Sequence, residues 1–289
     1  MKLPQFEYAM PSTIEEAIAL LAAHRGEARP IAGGQSLIPI LAFRLAGPSL
    51  LVDLRKLPGL DRISISREGV TLGAKVRWCD IEAHRQLGAA HPLLAAAVAC
   101  VAHYQVRNRG TVGGSLAHAD PAAELPGIAM TCDAEIAITG PAGSRTMKAV
   151  DFFLAPLMTA LAPDELIVEL RLPPWPGARR WAFEEFARQR GAFALAGIAL
   201  FYDEQNGVAN NAHIGVIGAS SRLHRLAAAE AALNGRTVND DVIVEVAGES
   251  AREVDPVDEL DVSADYRRAL VRALVQRGLQ AASTRARDT

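Results

Sequence analysis

The chain has 289 residues, half of them hydrophobic and 22% charged, the balance of a globular protein with room for two or three packed units. Thirty Lys and Arg against 33 Asp and Glu leave a net charge of −3, which excludes the basic stripe that nucleic acid requires. No run approaches the ~18 apolar residues of a membrane span, and the opening Met1-Lys2-Leu3-Pro4-Gln5-Phe6 has no signal-peptide core, so the expected location is cytoplasmic.

In chain order, Pro11-Ser12-Thr13-Ile14-Glu15 opens a helix, with Ser12 as N-cap and Glu15 completing a capping box. Ile14, Ala17, Ile18 and Leu21 share its inner face, and Gly26 ends it. Arg29-Pro30-Ile31-Ala32 reads as a short strand running into paired glycines, Gly33-Gly34, and then into a helix starting at Ser36-Leu37. That helix is predicted to turn Leu37, Ile38, Leu41 and Leu45 inward and to stop near Gly47-Pro48. Leu50–Leu54 follows as a buried strand, and strand, short helix, strand implies a parallel pair.

From about Leu57 the pattern turns antiparallel. Ile63–Ser66 and Val70–Leu72 flank a turn at Arg67-Glu68-Gly69. Helical segments follow at Asp80–Leu87 and Pro92–Ala102, then the polar turn Arg107-Asn108-Arg109-Gly110 and a second glycine stretch, Thr111-Val112-Gly113-Gly114-Ser115. Asp120-Pro121 reads as an N-cap with proline at the first helical position. Glu135–Thr139 and Ser144–Ala149 make a hairpin, and Leu166–Leu172 is a further strand. Pro173-Pro174-Trp175-Pro176-Gly177 is the clearest linker. Beyond it come strands at Trp181–Phe186, Phe193–Tyr202 and Ala212–Ser220, then helices near Leu226–Leu233, Asp240–Glu249 and Ala264–Ala282. The closing Ser283–Thr289 is charged, poor in apolar residues and expected to fray. Cys79, Cys100 and Cys132 are scattered with no C-x-x-C pair, which reads as inert core thiols rather than a metal site.

A strand, a glycine turn and a helix start aim backbone N–H groups at one point, an arrangement that suits a phosphate. Each charge-assisted bond of this kind contributes roughly 1.5–3 kcal/mol, so two such stretches can hold a diphosphate without a lysine. The plain alternative for either stretch alone is a tight turn. G-x-G-x-x-G is absent, Asp53 follows the wrong loop to serve as its acidic partner, and no Gly-Lys-Ser/Thr occurs. A dinucleotide therefore needs a different fold.

Ala32-Gly33-Gly34-Gln35-Ser36-Leu37-Ile38-Pro39 and the long run from Arg107 to Pro126 resemble the two FAD-binding signatures of the medium, flavoprotein subunits of molybdenum hydroxylases, the carbon monoxide dehydrogenase and xanthine dehydrogenase family. The resemblance covers nearly the whole chain, including Asp151-Phe152-Phe153, Asp164-Glu165-Leu166 and Arg171-Leu172-Pro173. It implies an α+β protein: a two-subdomain FAD-binding fold of the vanillyl-alcohol oxidase type over 1–56 and 57–173, then an α+β domain over 178–285 with a three-stranded antiparallel sheet and helices. Carried over by position, Ile31, Ala32, Gly33, Gly34, Gln35, Ser36 and Leu37 wrap the diphosphate together with Thr111, Gly113, Gly114 and Ser115. Glu124 matches an acid expected to hydrogen-bond the sugar region, the alternative being a surface helix charge. Val101 and Ile167 match positions lining the isoalloxazine ring, or are plain core. His118 reads as a polar neighbour of a noncovalent FAD rather than a covalent anchor. Gly33→Val or Gly114→Val is expected to strike the bound diphosphate.

The resemblance also implies partners: a large subunit with the molybdenum cofactor and a small one with [2Fe-2S] clusters, as a dimer of heterotrimers. This chain would supply no catalytic residue for hydroxylation and no metal ligand. Its role would be to take electrons from the [2Fe-2S] clusters and discharge them to an external acceptor, since a flavin couples one-electron to two-electron steps. The competing functions are a stand-alone FAD-dependent oxidase and a non-catalytic scaffold. One departure stands at Ala192, in Arg188-Gln189-Arg190-Gly191-Ala192-Phe193-Ala194, where relatives usually have aspartate.

Overall fold

The computed structural model describes residues 3–284. Glu7–Ala9 (β1), Ile14–Ala23 (α1), Ala28–Ile31 (β2), Leu37–Ala42 (α2) and Leu50–Asp53 (β3) come first. β1, β3 and β2 form a parallel sheet with β3 central, and all four residues of β3 are buried, as a parallel strand covered on both faces must be. α1 packs Ala17, Ile18 and Leu21 into the same core as Leu50 and Val52. Its cap stands one residue later than the sequence suggests. Thr13 accepts from the Glu16 amide, and Glu16 reaches back to the Ser12 amide. Ser12 and Thr13 offer the same hydroxyl chemistry, and the extended backbone falls at Thr13. Leu45 is also corrected: α2 ends at Ala42, Arg44 turns the chain at φ 58°, and Leu45 is left 78% exposed.

The middle of the chain holds Ile63–Ser66 (β4), Gly69–Gly73 (β5), Trp78–Ala83 (α3), Leu87–Ala90 (α4), Pro92–Val98 (α5), Tyr104–Arg107 (α6), Val112–His118 (α7) and Glu124–Thr131 (α8). Glu135–Gly140 (β6), Gly143–Lys148 (β7), Ala149–Phe152 (α9), Phe153–Ala155 (β8), Met158–Thr159 (β9) and Leu166–Leu172 (β10) complete it. The sheet runs β4-β5-β10-β6-β7, antiparallel throughout. The two expected helices here are broken up. His91 caps α5 by accepting from the Leu94 amide, with Pro92 behind it, and α5 stops at Val98. Asp120 does not cap a helix: its carboxylate takes the Ala122 amide in a local turn, and α8 starts at Glu124.

Arg179–Ala187 (β11), Ala194–Gln205 (β12), Val208–Ile217 (β13), His224–Arg225 (β14), Ala227–Leu233 (α10), Arg236–Thr237 (β15), Asp240–Glu253 (α11) and Ala264–Thr284 (α12) close the fold. β11, β12 and β13 form the expected antiparallel sheet, and two short strands, β14 and β15, both pair with β13. The helices cover one face, where Ile198, Leu200 and Ile214 meet Val246, Val271 and Leu279. Ser283 and Thr284 finish α12 as helix, not as a frayed end, and residues 285–289 of the expected tail lie outside the described residues. Among the described residues no helix is long and apolar enough to cross a membrane.

Candidate functional site

The two glycine stretches touch. A Cβ built on Gly33 would stand 2.1 Å from the Arg109 carbonyl oxygen and 3.0 Å from the Gly110 Cα, so the first bend lies directly on the turn that leads into the second. Gly34 holds φ +73°, a left-handed conformation that glycine adopts without strain. Ile31 closes β2 and Leu37 opens α2 on either side. Among the described residues, the backbone N–H groups of Gly33, Gly34, Gln35 and Ser36 find no acceptor within the chain, while the Gln35 side-chain Nε2 donates to the Gly33 carbonyl. Four consecutive open donors at a bend are what an oxyanion group needs.

The second stretch is built differently. Thr111 is the N-cap of α7, its hydroxyl accepting from Gly114 N–H and its carbonyl from Ser115 N–H. Val112 donates to the Val76 carbonyl and Gly113 to the Ala74 carbonyl, at 2.9 and 2.8 Å. A Cβ on Gly113 would meet that of Ala74 at 2.7 Å. Its glycines therefore serve close packing of the helix against the chain before it, and Val112–Ser115 all have acceptors or donors inside the protein. Ser115 and His118 lie half-buried along the helix. Ile167 reaches this point indirectly: β10 bulges between Ile167 and Glu169, and the Val168 carbonyl there takes the Ala74 amide.

A second group of residues gathers at the seam between the central sheet region and the last sheet. Val101 follows α5 and, like Ile167, is nearly buried in the central core. Arg107, read from the sequence only as part of a polar turn and of the long signature run, donates to both the Val101 and Ala102 carbonyls at 2.9 Å and pairs with Glu82. It fixes the turn on which the β11–β12 connection rests, where a Cβ on Gly191 would stand 2.5 Å from His103 Nδ1. Glu124, at the start of α8, is only 9% exposed and is not a surface charge. Burial pushes its carboxyl up to about 8, its own amide opposing and the Glu185 and Asp120 charges adding to the rise. Glu185 of β11 is pushed up to about 7 by burial, and its Oε2 has no hydrogen-bond partner. Cys100 sits among these charges, its thiol held up at about 11, chiefly by burial. Cys132 is buried and its thiol is pushed up to about 12, again by burial. Among the described residues no group of three His, Cys, Asp or Glu is placed to hold a metal ion.

These residues fit a dinucleotide: open amides where the glycines bend, a buried acid, and an orphaned carboxylate oxygen. Two family models cover the chain. Residues 4–175 match the FAD binding domain in molybdopterin dehydrogenase, and residues 181–282 match the CO dehydrogenase flavoprotein C-terminal domain. The chain is 39% identical over 291 residues to the 6-hydroxypseudooxynicotine dehydrogenase complex subunit alpha of Paenarthrobacter nicotinovorans, covering 100% of this chain and 98% of that one. It is similar to a solved carbon monoxide dehydrogenase chain from Hydrogenophaga pseudoflava, with a TM-score of 0.95, 35% identity and coverage of 98% and 99%. A chain of quinoline 2-oxidoreductase from Pseudomonas putida 86 is similar too, with a TM-score of 0.93, 37% identity and the same coverage. The protein thus belongs to the FAD-binding medium subunits of the molybdenum hydroxylases, the flavoprotein components of multi-subunit oxidoreductases.

Proposed function

We propose that this chain holds one FAD noncovalently across its two glycine stretches and passes electrons from the [2Fe-2S] clusters of a small partner subunit to an external acceptor. Hydroxylation then takes place in a large partner subunit that carries the molybdenum cofactor, and the assembly is a cytoplasmic dimer of heterotrimers. Bound FAD would supply the coupling between one-electron and two-electron transfers. The chain's own residues bind and orient it. Ala32–Ser36 give backbone donors to the diphosphate, Thr111–Ser115 back that bend and add hydroxyls, Glu124 takes the sugar region, and Val101 and Ile167 face the ring. The units are 1–56, 57–173 and 178–285. The observation that carries this reading is the seating of Gly33 on the Arg109-Gly110 turn, with four open amides beside it.

Isolation of the native complex, with its visible spectrum and subunit masses, tests the proposal. The expected result is three kinds of subunit, iron–sulfur and flavin absorbance, and free FAD released by acid precipitation. Purification as a lone flavoprotein that oxidises its own substrate would overturn it.

A further inference from the structure

Lys75 reaches back across the boundary between the first two units. Its Nζ donates to the Arg55 carbonyl at 2.9 Å and to the Leu57 carbonyl, and carbonyls at the end of a short helical turn have no partner within it. That turn, Leu54–Lys56, is in its turn fixed beside the first glycine stretch. Asp53 caps it, accepting from the Arg55 amide at 2.8 Å, and the same buried carboxylate holds the Tyr8 hydroxyl from β1 and the Arg55 guanidinium. Asp53 stands opposite Ile31 in the parallel sheet, and from Ile31 the chain runs through Ala32 into Gly33. On its other side Lys75 lies between the two residues that carry the second stretch: the Ala74 carbonyl takes the Gly113 amide and the Val76 carbonyl takes the Val112 amide. These contacts close a circuit. One side is the seating of Gly33 on Arg109 and Gly110; the other runs from Ile31 through Asp53, the Leu54–Lys56 turn and Lys75 to Gly113. β10 adds an apolar join, with Leu166 and Val168 packed into the first core, but apolar burial has no direction, whereas the two bonds from Lys75 do.

We propose that Lys75 is a positioning residue of the cofactor site, which clasps the first unit to the second and so sets the distance between the two glycine stretches that one diphosphate must span. The inference rests on the placement of FAD proposed above. Lys75 acts through Ala74 and Val76 on one side and through the turn capped by Asp53 on the other, not by contact with the cofactor. Without the clasp the first unit pivots on Gly33. Hydrogen bonds weaken steeply with distance and angle, so the open amides of Gly33–Ser36 and the hydroxyls of Thr111 and Ser115 then no longer reach one diphosphate together.

The test loads the full-length chain with FAD and reads dissociation constants by flavin fluorescence and apo stability by urea midpoint. Lys75→Met keeps the stem and removes the donors; it is expected to weaken FAD binding about tenfold, the equivalent of one charge-assisted bond. Lys75→Arg keeps charge and donors and restores most of the affinity. Val246→Ala, in the helix-covered core of the last unit, lowers the urea midpoint and leaves the FAD constant unchanged, as a purely structural change does. The Lys75→Met loss persists at about 0.5 M salt, where charges are screened beyond a few ångströms. Ser36→Asp sets a carboxylate among the open amides and loses FAD. A wild-type constant in Lys75→Met, an equal loss in Val246→Ala, or a loss that vanishes at high salt, while Ser36→Asp loses FAD, would overturn the clasp and leave the FAD site standing. Retention of FAD by Ser36→Asp would remove the site and this inference together. Circular dichroism checks folding; if Lys75→Met is unfolded, Lys75→Gln, whose shorter uncharged amide cannot reach both carbonyls, decides by the same constant. Failure of both to fold would make Lys75 a residue of the fold and overturn its role in positioning.

Discussion

Gly33 has no room for a methyl group, and the obstacle is protein rather than ligand. The 2.1 Å approach to the Arg109 carbonyl replaces the expected collision with a diphosphate by a collision with the chain itself. Gly114 is similar in kind, since its nearest neighbour is the Thr111 hydroxyl that caps the helix. Gly33→Ala is therefore expected to separate the two bends, to cost about 2 kcal/mol of stability and to lower FAD content at purification. Gly47→Ala, with nothing within 4 Å, should change neither; equal effects from the two would show that Gly33 is not a joint. His91 gives a pH-dependent counterpart. It is fully buried, its Nδ1 accepts from Leu94 and its Nε2 has no partner. Burial depresses its pKa to about 3, with the Arg179 charge adding to the fall. The folded state thus favours the neutral ring, so the stability it contributes is present above the ordinary histidine value near 6.5 and is lost as pH falls towards 3. His91→Asn keeps a capping acceptor and cannot take the proton. Urea midpoints at pH 7 and pH 4 should fall less in the variant than in wild type, and parallel falls would exclude His91 as a source of acid sensitivity.

At the scale of elements, Gly218 just past β13 is a junction. Its amide donates to the Pro121 carbonyl in the turn before Glu124, and its carbonyl takes Arg267 Nη1 from α12 at 2.6 Å. A Cβ there would stand 2.4 Å from the Ala194 carbonyl. Arg267 is itself buried and paired with Glu259 at 2.8 Å, so α12 holds the approach to Glu124 through one backbone unit. Arg267→Met is expected to cost about 2 kcal/mol, an orphaned buried acceptor, and to speed hydrogen exchange at Gly218 more than across the rest of β13; uniform exchange would argue for a packing role alone. None of this junction is visible in the sequence, because the main chain of Gly218 joins a carbonyl about a hundred positions before it to a side chain 49 positions after it. What was visible follows from period and punctuation. The β4–β5 and β6–β7 hairpins, β10, the three long strands and the three closing helices all stand where alternation, glycine turns and apolar stripes put them. The failures share one cause, competition between equivalent local choices. Ser12 and Thr13 could both cap, Asp120 could cap a helix or close a turn, and Leu45 lost its inward place when Arg44 turned left-handed. Within Thr111–Ser115, Gly113 also answers to the crowding of Ala74, a packing demand that no local motif announces.

Across the whole molecule, the proline-rich segment expected to be a mere linker fastens the two halves. Its Trp175 lies between the His91 ring that caps α5, tilted at 4.5 Å between ring centroids, and Phe201 of β12, edge-on at 5.4 Å. Phe201 lies in turn on His213 of β13, which hydrogen-bonds the Thr131 carbonyl at the end of α8. The Arg179 guanidinium covers both Trp175 and Phe201 and is clamped by Asp203 through two bonds. This row of rings joins α5 and α8 of the central region to the face of the last sheet turned away from its helices, so it couples the unfolding of the two halves. Trp175→Ala removes a half-buried ring from between two buried ones and is expected to cost about 2 kcal/mol, below the range for a fully buried tryptophan. The loss falls on the central core and its contact with the last sheet, because Trp175 packs against that core and the α10–α12 core makes no use of it. Calorimetry should then resolve two transitions in the apo variant where wild type shows one. A single transition in the apo variant would mean that the Gly127 and Thr131 packing on Ile217 and Gly215 couples the halves without the rings.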